Sequence, residues 1–203
     1  MKLLVDTDIF CKLGVADFLR DAANIFRAEL EDCGRLPALP YMLRKGRLRN
    51  LYGADACDAL IPIATAMPVV PQPSNTWLDP LTPITAIDPG EAQIFAAAAE
   101  SGLIVVSGDK RALRALKDVE GFAEALAGRI VVLEAVLLAL CDKLGHEQIS
   151  LRIVPLAAFD QIIKICFSPK NPNPREALLS YYSAIVTDVE PLVLWDPRVG
   201  DTI

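Results

Sequence analysis

The most constraining feature of this sequence is the unbroken aliphatic segment Leu103-Ile104-Val105-Val106, which offers no polar residue to either face of a sheet. A strand of this kind is buried on both faces, as in parallel sheets covered by helices. An alanine-rich helix is predicted just before it, from Glu91 to Ser101. Aliphatic segments at Lys2–Asp6 and Arg129–Val132 are each followed by a predicted helix. This alternation predicts an α/β sandwich with a mainly parallel sheet.

The region between the first two of these segments is predicted from local patterns. Apolar residues at helical spacing predict one amphipathic helix that ends near Asp32, with Asp8 as its N-cap. The Pro-flanked segment Leu36–Leu39 is expected to form an edge strand, and Met67–Val70 is a further strand candidate. A helix is predicted from Asp55 to Ala66.

A change in sequence character after residue 145 predicts two parts of the chain. Residues 1–145 are expected to form the α/β domain, and residues 146–203 a C-terminal extension packed on it. Within this extension, Ser168–Pro174 has the Pro and Asn content of a break, and Arg175–Val186 is a predicted helix. Trp195-Asp196-Pro197 is expected to lie in a tail.

Composition and charge exclude several classes of protein. The formal net charge of -6 argues against indiscriminate binding of nucleic acid through bulk charge, although it leaves room for a local basic groove. The five cysteines form no C-x-x-C pair and His146 is the single histidine, so we expect reduced, buried thiols in a cytoplasm rather than zinc. The longest apolar stretch, Ile130–Leu140, is shorter than the ~20 residues of a spanning helix. We therefore expect a soluble protein that does not bind membranes.

Acidic side chains follow two of the predicted strands at the point where each strand ends. Val5-Asp6-Thr7-Asp8 and Val106-Ser107-Gly108-Asp109 come to the same edge of a parallel sheet, and Glu91 begins the helix before the second strand. Carboxylates gathered in this way repel one another unless a cation is present. Oxygen ligands without His or Cys favour Mg²⁺ or Mn²⁺. Asp6, Asp8, Glu91 and Asp109 are therefore candidate metal ligands, and phosphate-ester hydrolysis is the implied chemistry.

Three of these acids also have a structural interpretation. Asp8 can be a helix cap, Glu91 can serve the dipole of its helix, and Asp109 can be a turn or cap residue after Gly108. Asp6 is harder to explain in this way, because an acid at the end of a buried strand must be solvated or paired.

These motifs, in this order, resemble those of PIN-domain ribonucleases over about Met1–Leu144. The resemblance rests on Leu3–Asp8, on Gly90-Glu91-Ala92 and on Ile104–Arg111. It implies a three-layer α/β/α sandwich whose carboxylates bind Mg²⁺ or Mn²⁺ and cleave RNA. Asp6, Glu91 and Asp109 would then be the catalytic, metal-binding acids, and Ser107 would orient the site. Many members are toxins of toxin–antitoxin pairs, so a homodimer and a protein inhibitor are implied as partners.

The sequence departs from the PIN pattern at one place. The family usually supplies another acid from a helix in the region that matches Leu39–Leu48, where this chain has Arg44, Lys45 and Arg47. Either Asp8 compensates for the missing acid or the site is degenerate. The basic run is a candidate phosphate contact through Arg44 and Lys45, or a solvated helix face. Lys110 and Arg111, beside Asp109, are better placed to hold a scissile phosphate.

Two other functions fit parts of the sequence. Asp6-Thr7-Asp8 also resembles the nucleophile motif of haloacid-dehalogenase-type phosphatases, although that family's further Asp after Gly-Asp is missing from Lys110–Lys117. In that case Asp6 would be the nucleophile, Asp8 the general acid and Asp109 a Mg²⁺ ligand. The second alternative is a non-catalytic PIN-like module that binds RNA or a protein, which the missing helical acid favours.

Overall fold

The centre of the fold is a four-stranded, all-parallel sheet with the strand order β2-β1-β3-β4. In the computed structural model, which describes residues 1–199, the strands are β1 (Leu3–Val5), β2 (Cys33–Gly34), β3 (Ile104–Val106) and β4 (Ile130–Val131). Leu3 is paired with Cys33 on one side and with Ile104 on the other. The predicted α/β sandwich with a parallel sheet is confirmed.

Thirteen α-helices surround this sheet in residues 1–199 and complete a three-layer α/β/α sandwich. They are α1 (Thr7–Val15), α2 (Leu19–Ile25), α3 (Leu39–Arg44), α4 (Arg47–Tyr52), α5 (Ala54–Ala66), α6 (Asn75–Leu78), α7 (Pro89–Ser101), α8 (Lys110–Leu116), α9 (Phe122–Ala125), α10 (Leu133–Leu144), α11 (His146–Ile153), α12 (Gln161–Cys166) and α13 (Pro174–Asp188). Short 3₁₀ helices occur at Leu30–Asp32 and Val154–Ala158. No helix among residues 1–199 combines the length and apolar character needed to cross a membrane.

The strand ends that carry the acids lie at one edge because β1 and β3 are parallel neighbours. All six residues of these two strands are buried. Pairing continues one step past β1, since the Asp6 N–H donates to the Val106 carbonyl oxygen at 3.0 Å. Helix α7 packs against both strands through an alanine-rich face in which Ala96, Ala97 and Ala98 are fully buried. The start of α7 is thereby held beside the ends of β1 and β3.

The single helix predicted up to Asp32 is wrong. The chain instead forms α1, α2 and a 3₁₀ turn, with breaks at Asp17 and Arg27, whose φ angles are 57° and 50°. Non-glycine residues seldom adopt this left-handed conformation, and apolar spacing does not reveal it. The break at Asp17 lets Phe18 turn into the core, where it is fully buried. Asp8 is not the cap of α1 either, because Asp6 occupies the N-cap position and Asp8 lies in the first turn.

The edge strand lies earlier than the sequence pattern suggested. It is Cys33–Gly34 rather than Leu36–Leu39, and Leu39 already begins α3. A Cβ at position 34 would lie 2.6 Å from Leu4 Cδ2 and 2.8 Å from Met1 Sδ, so a larger residue here would require these side chains to shift. Met67–Val70 contributes a single bridge, between Arg35 and Val69, instead of a strand.

The end of the described chain packs on the sheet rather than forming a tail. Leu194 makes a parallel bridge with Ile130, and the Trp195 N–H donates to the Ile130 carbonyl oxygen at 2.8 Å. The rings of Trp195 and Phe26 meet edge-on, with their centroids 5.0 Å apart. The backbone carbonyl oxygen of Trp195 accepts a hydrogen bond from the Tyr182 hydroxyl at 3.0 Å. The predicted tail at Trp195–Pro197 is therefore wrong at its first residue, because a large apolar ring gains from burial. Residues 200–203 of the predicted extension lie outside the described residues.

Candidate functional site

The carboxyl ends of β1 and β3 open into a cleft of about 930 Å³. The cleft brings together all four of the predicted acids, which come from the β1–α1 junction, the start of α7 and the β3–α8 junction. It also contains basic residues of the α3–α4 region and of α8. Its charged lining residues are Asp6, Asp8, Lys45, Arg47, Asp88, Glu91, Asp109, Lys110 and Arg111.

Asp6 is an uncompensated acid at the floor of this cleft. Asp6 is the N-cap residue of α1, and its carboxylate lies near the N–H groups that begin the helix without full hydrogen-bond geometry to them. Burial raises the pKa of Asp6 to about 6, and the charges of Asp8 and Asp88 raise it further, while the N–H groups of Thr7 and Asp8 oppose the shift. A negative charge held here without a counter-ion is costly, so this carboxyl favours either a proton or a bound cation.

Glu91 is a second acid of the same kind. It lies in the first turn of α7, where its Oε2 accepts from the Asp88 N–H and its own N–H donates to Asp88 Oδ1, both at 2.8 Å. This reciprocal pair is a capping box, which confirms the structural interpretation of Glu91 as a first-turn helix residue. Burial raises the pKa of Glu91 to about 7, and the charges of Asp88, Asp109 and Asp6 add to the shift.

Asp109 is the N-cap of α8, as its structural interpretation predicted. Its Oδ1 accepts from the N–H groups of Arg111 and Ala112 at 2.8 and 3.1 Å. Its Oδ2 lies 3.5 Å from the Arg111 guanidinium. One oxygen of the Asp109 carboxylate therefore accepts hydrogen bonds from the first turn of α8, and the other is only weakly paired with the Arg111 side chain.

Asp8 is neutralised by a lysine that also binds the C-terminal part of the chain. The Lys12 ammonium lies 2.6 Å from Asp8 Oδ2 and 2.6 Å from Asp160 Oδ2. Asp160 in turn caps α12 through its other oxygen. Burial lowers the pKa of Lys12, but Asp8 and Asp160 outweigh this effect and raise it overall. Of the four predicted acids, Asp8 is therefore the one with a close ammonium partner.

Lys110 is held by an acid that the sequence did not single out. Its ammonium lies 2.7 Å from Oε1 of Glu134, which is 3% exposed near the start of α10. A buried carboxylate of this kind needs a partner, and Lys110 provides it. Lys110, a predicted phosphate contact, thus lines the cleft, but its ammonium is already paired with Glu134.

The basic run of α3 and α4 supplies the unpaired cations. Arg44, Lys45 and Arg47 are exposed, and none of them pairs with an acid in residues 1–199. Lys45 and Arg47 line the cleft, whereas Arg44 lies outside its lining. By contrast, Arg49 is engaged by Asp58 at 2.6 Å.

Three hydroxyl groups are buried without a hydrogen-bond partner in residues 1–199. They are Ser107 Oγ, at the end of β3, Thr7 Oγ1, at the start of α1, and Tyr52 Oη, at the end of α4. Ser107, the predicted orienting residue, is 1% exposed. Each oxygen can both donate and accept a hydrogen bond.

Sequence reasoning missed Asp88, which lines the cleft beside Glu91. The signal was present in Asp88-Pro89-Gly90-Glu91, because Asp followed three residues later by Glu is the pattern of a capping box, and Pro favours the first helical position. Asp160 and Glu134 gave no such local signal, since their partners are distant in sequence.

The acids of the cleft offer the oxygen ligands that hard divalent cations prefer, but they do not form a complete metal site. Asp6 and Glu91 offer carboxylate oxygens that no Lys or Arg of the described residues neutralises. Within residues 1–199, no group of three or more His, Cys, Asp or Glu side chains is arranged to hold a metal ion. Mg²⁺ commonly keeps several waters and binds through one or two carboxylates together with substrate phosphates.

In comparisons with protein-family models, curated proteins and solved structures, the chain matched none of them. The class assigned to this cleft therefore depends on its own geometry. That geometry is a cleft at the carboxyl ends of parallel strands, lined by acids together with Lys45 and Arg47, which have no acid partner in residues 1–199.

Proposed function

We propose that the protein is a Mg²⁺- or Mn²⁺-dependent ribonuclease of the PIN-like type, which hydrolyses RNA phosphodiester bonds in the cleft. The observation that carries this proposal is that the half-buried Asp6 and the buried Glu91 line a cleft together with Lys45 and Arg47, and that none of these four side chains has an ion-pair partner in residues 1–199. A phosphodiester complements both parts, because its charge suits the cations and its oxygens share a divalent ion with the acids.

In this proposal Asp6 and Glu91 would hold the cation directly, and Asp109 and Asp8, which line the same cleft, would act on water bound to it, since no three acids of residues 1–199 are arranged around one ion. A bound Mg²⁺ or Mn²⁺ would supply charge stabilisation at the scissile phosphate and a lower pKa for water. Asp6 is aligned by the pairing of its N–H with Val106, and Glu91 by the Asp88 N–H. The contact of Glu91 holds its carboxylate directly, whereas that of Asp6 holds only its backbone, so the Glu91 carboxylate is fixed before any substrate arrives.

The cations of the cleft would position the substrate. Lys45 and Arg47 carry no acid partner in the described residues and would contact phosphates that flank the scissile bond. Arg111 is held only at 3.5 Å by Asp109 and can exchange this contact for a phosphate. Lys110 is paired with Glu134, so it would contribute to the electrostatic potential of the cleft rather than bind the substrate directly.

The test is cleavage of a fluorogenic single-stranded RNA in Mn²⁺. We expect turnover by the native chain, and its loss in Asp6→Asn, in Asp109→Asn and in EDTA. Asp118→Asn removes an exposed acid outside the cleft lining and should leave the rate unchanged. Cleavage that survives both cleft substitutions with EDTA present would show the proposed chemistry to be wrong. Robust turnover of a chromogenic phosphomonoester would instead favour the phosphatase.

A non-catalytic RNA- or protein-binding module is the second candidate. It is favoured by the structural roles of the acids. Glu91 belongs to the capping box of α7, Asp109 is the N-cap of α8, and Asp8 is paired with Lys12. Calorimetry with Mn²⁺ separates the two candidates. The ribonuclease requires binding by the native chain that Asp6→Asn abolishes, and the module is favoured if neither protein binds. The homodimer and the protein inhibitor implied by the resemblance stay predictions.

A further inference from the structure

One exposed surface outside the acidic floor combines an aromatic ring with unpaired cations. We define it as the α3–α4 face, formed by Tyr41, Arg44, Lys45 and Arg47. The Lys45 N–H donates to the Tyr41 carbonyl oxygen at 3.1 Å, which places these residues one helical turn apart. Arg44 is three residues after Tyr41 and so lies on the same side of α3.

The charge of this face is exceptional for the chain. The protein has a formal net charge of -6, yet the stretch from residue 41 to residue 52 contains no acid. The three cations of the face are exposed and have no acid partner in residues 1–199. A solvated helix face in an acidic protein would ordinarily interleave both signs of charge. This surface is therefore complementary to a polyanion.

Tyr41 adds a second, independent property to the face. Its side chain is 64% exposed, the largest exposed fraction of any aromatic residue in residues 1–199. Within the same residues its ring makes no aromatic pair, whereas Tyr52 meets Phe159 edge-on at 5.5 Å. An exposed, unpaired ring close in sequence to three cations suits a nucleic-acid base, because every base has a π-face that can stack.

The face is continuous with the cleft. Lys45 and Arg47 belong to both, as does Met42, which follows Tyr41. Tyr41 and Arg44 lie outside the cleft lining, so the face extends outward from the acids. A strand bound along it would reach the cleft with its phosphates on Lys45 and Arg47.

We propose that the α3–α4 face is a binding track for single-stranded RNA, on which Tyr41 stacks one base while Arg44, Lys45 and Arg47 neutralise backbone phosphates. This deepens the proposed function and rests on it for the choice of RNA. A duplex buries the faces of its bases in stacking, so the track selects unpaired nucleotides.

The test compares two labelled probes with the full chain in EDTA, so that binding is measured without cleavage. One probe is an octamer of riboadenosine, and the other is a ribose-phosphate octamer without bases. By fluorescence anisotropy, Tyr41→Ala should raise the Kd for the first probe about 5- to 100-fold and leave the Kd for the abasic probe unchanged. Tyr41→Phe should retain native affinity for both.

The cations give the complementary result. Arg44→Gln, Lys45→Gln and Arg47→Gln should each weaken both probes and lower the slope of log K against log salt by about 0.7. Arg20→Gln, an exposed cation of α2 outside the cleft lining, should change neither probe.

The other outcomes contradict the track. Native affinity in Tyr41→Ala, or equal losses on both probes, would overturn the stacking role. No binding of either probe, or binding of a protein partner alone, would overturn the track as a whole. If Tyr41→Ala cleaves RNA in Mn²⁺ as fast as the native chain, this inference is wrong and the proposed function stands. If binding is tight and depends on Tyr41 but no cleavage occurs, this inference is supported and the proposed function is wrong.

Discussion

At the residue scale, the half-buried Asp6 and the buried Glu91, which have no counter-ion in residues 1–199, give the protein a characteristic dependence on pH. The pKa values of Asp6 and Glu91 are raised by burial to about 6 and about 7. The folded state therefore binds more protons than the unfolded state between about pH 4 and pH 7. The free energy of unfolding must fall as the pH rises through that window.

Removing one of these charges should stabilise the protein at high pH. We expect Asp6→Asn to raise the free energy of unfolding by about 1–3 kcal/mol at pH 8 and to have little effect at pH 4, where the native carboxyl is protonated. Urea denaturation at the two pH values measures the difference. An increase of the same size at both values would mean that charge is not the cause.

The same residues show how far the sequence could predict the site. We expected four acids at one sheet edge, because the ends of strands and the starts of helices can be predicted from short stretches of sequence. They are Asp6, Asp8, Glu91 and Asp109. Their ion pairs were not expected, since Lys12 meets Asp160 across 148 residues of chain. The pairing of Lys110 with Glu134 likewise depends on how α8 and α10 are arranged. Local patterns thus predicted where the acids lie, but not which of them would be neutralised.

At the scale of elements, Asp109 has two functions that substitution can separate. As the N-cap of α8 it accepts two backbone hydrogen bonds, and asparagine can accept them as well. We expect Asp109→Ala to lower the free energy of unfolding by about 1 kcal/mol and Asp109→Asn to change it by much less. Thermal and urea denaturation measure this. Equal losses in the two variants would show that the charge, rather than the cap, stabilises α8.

Elements were predicted well wherever a strong periodic or aliphatic signal coincided with a local stop. Helix α7, strand β3 and helix α10 are of this kind, and Gly102 ends α7 with a φ of 64°. The helix predicted between β1 and β2 was wrong, because Asp17 and Arg27 take left-handed conformations. The identity of these side chains does not predict such a conformation. The position of β2 was predicted wrongly for a tertiary reason, because β2 is defined by the pairing of Cys33 and Gly34 with residues of β1 that are distant in sequence.

At the scale of the whole molecule, one ammonium joins the cleft to the C-terminal region. Lys12 lies between Asp8 and Asp160, and the side chains of Lys12 and Asp160 are 12% and 11% exposed. We expect Lys12→Met to lower the free energy of unfolding by about 2–4 kcal/mol, because it leaves two carboxylates close together with one of them buried.

The matched control for this prediction is Arg49→Met. It breaks the exposed pair with Asp58 and should cost less than about 1 kcal/mol. Urea denaturation of both variants gives the comparison. Similar small losses in the two would indicate that Lys12 does not link the two regions energetically.

The two isolated bridges at the margins of the sheet bear on how the protein avoids self-association. Beyond β2, Arg35 pairs with Val69, and beyond β4, Ile130 pairs with Leu194. Each bridge occupies backbone groups that an outer strand would otherwise offer to another chain. Both outer strands are also only two residues long. A neighbouring molecule therefore finds little template for strand addition on either side, and this sheet is a poor starting point for fibril growth.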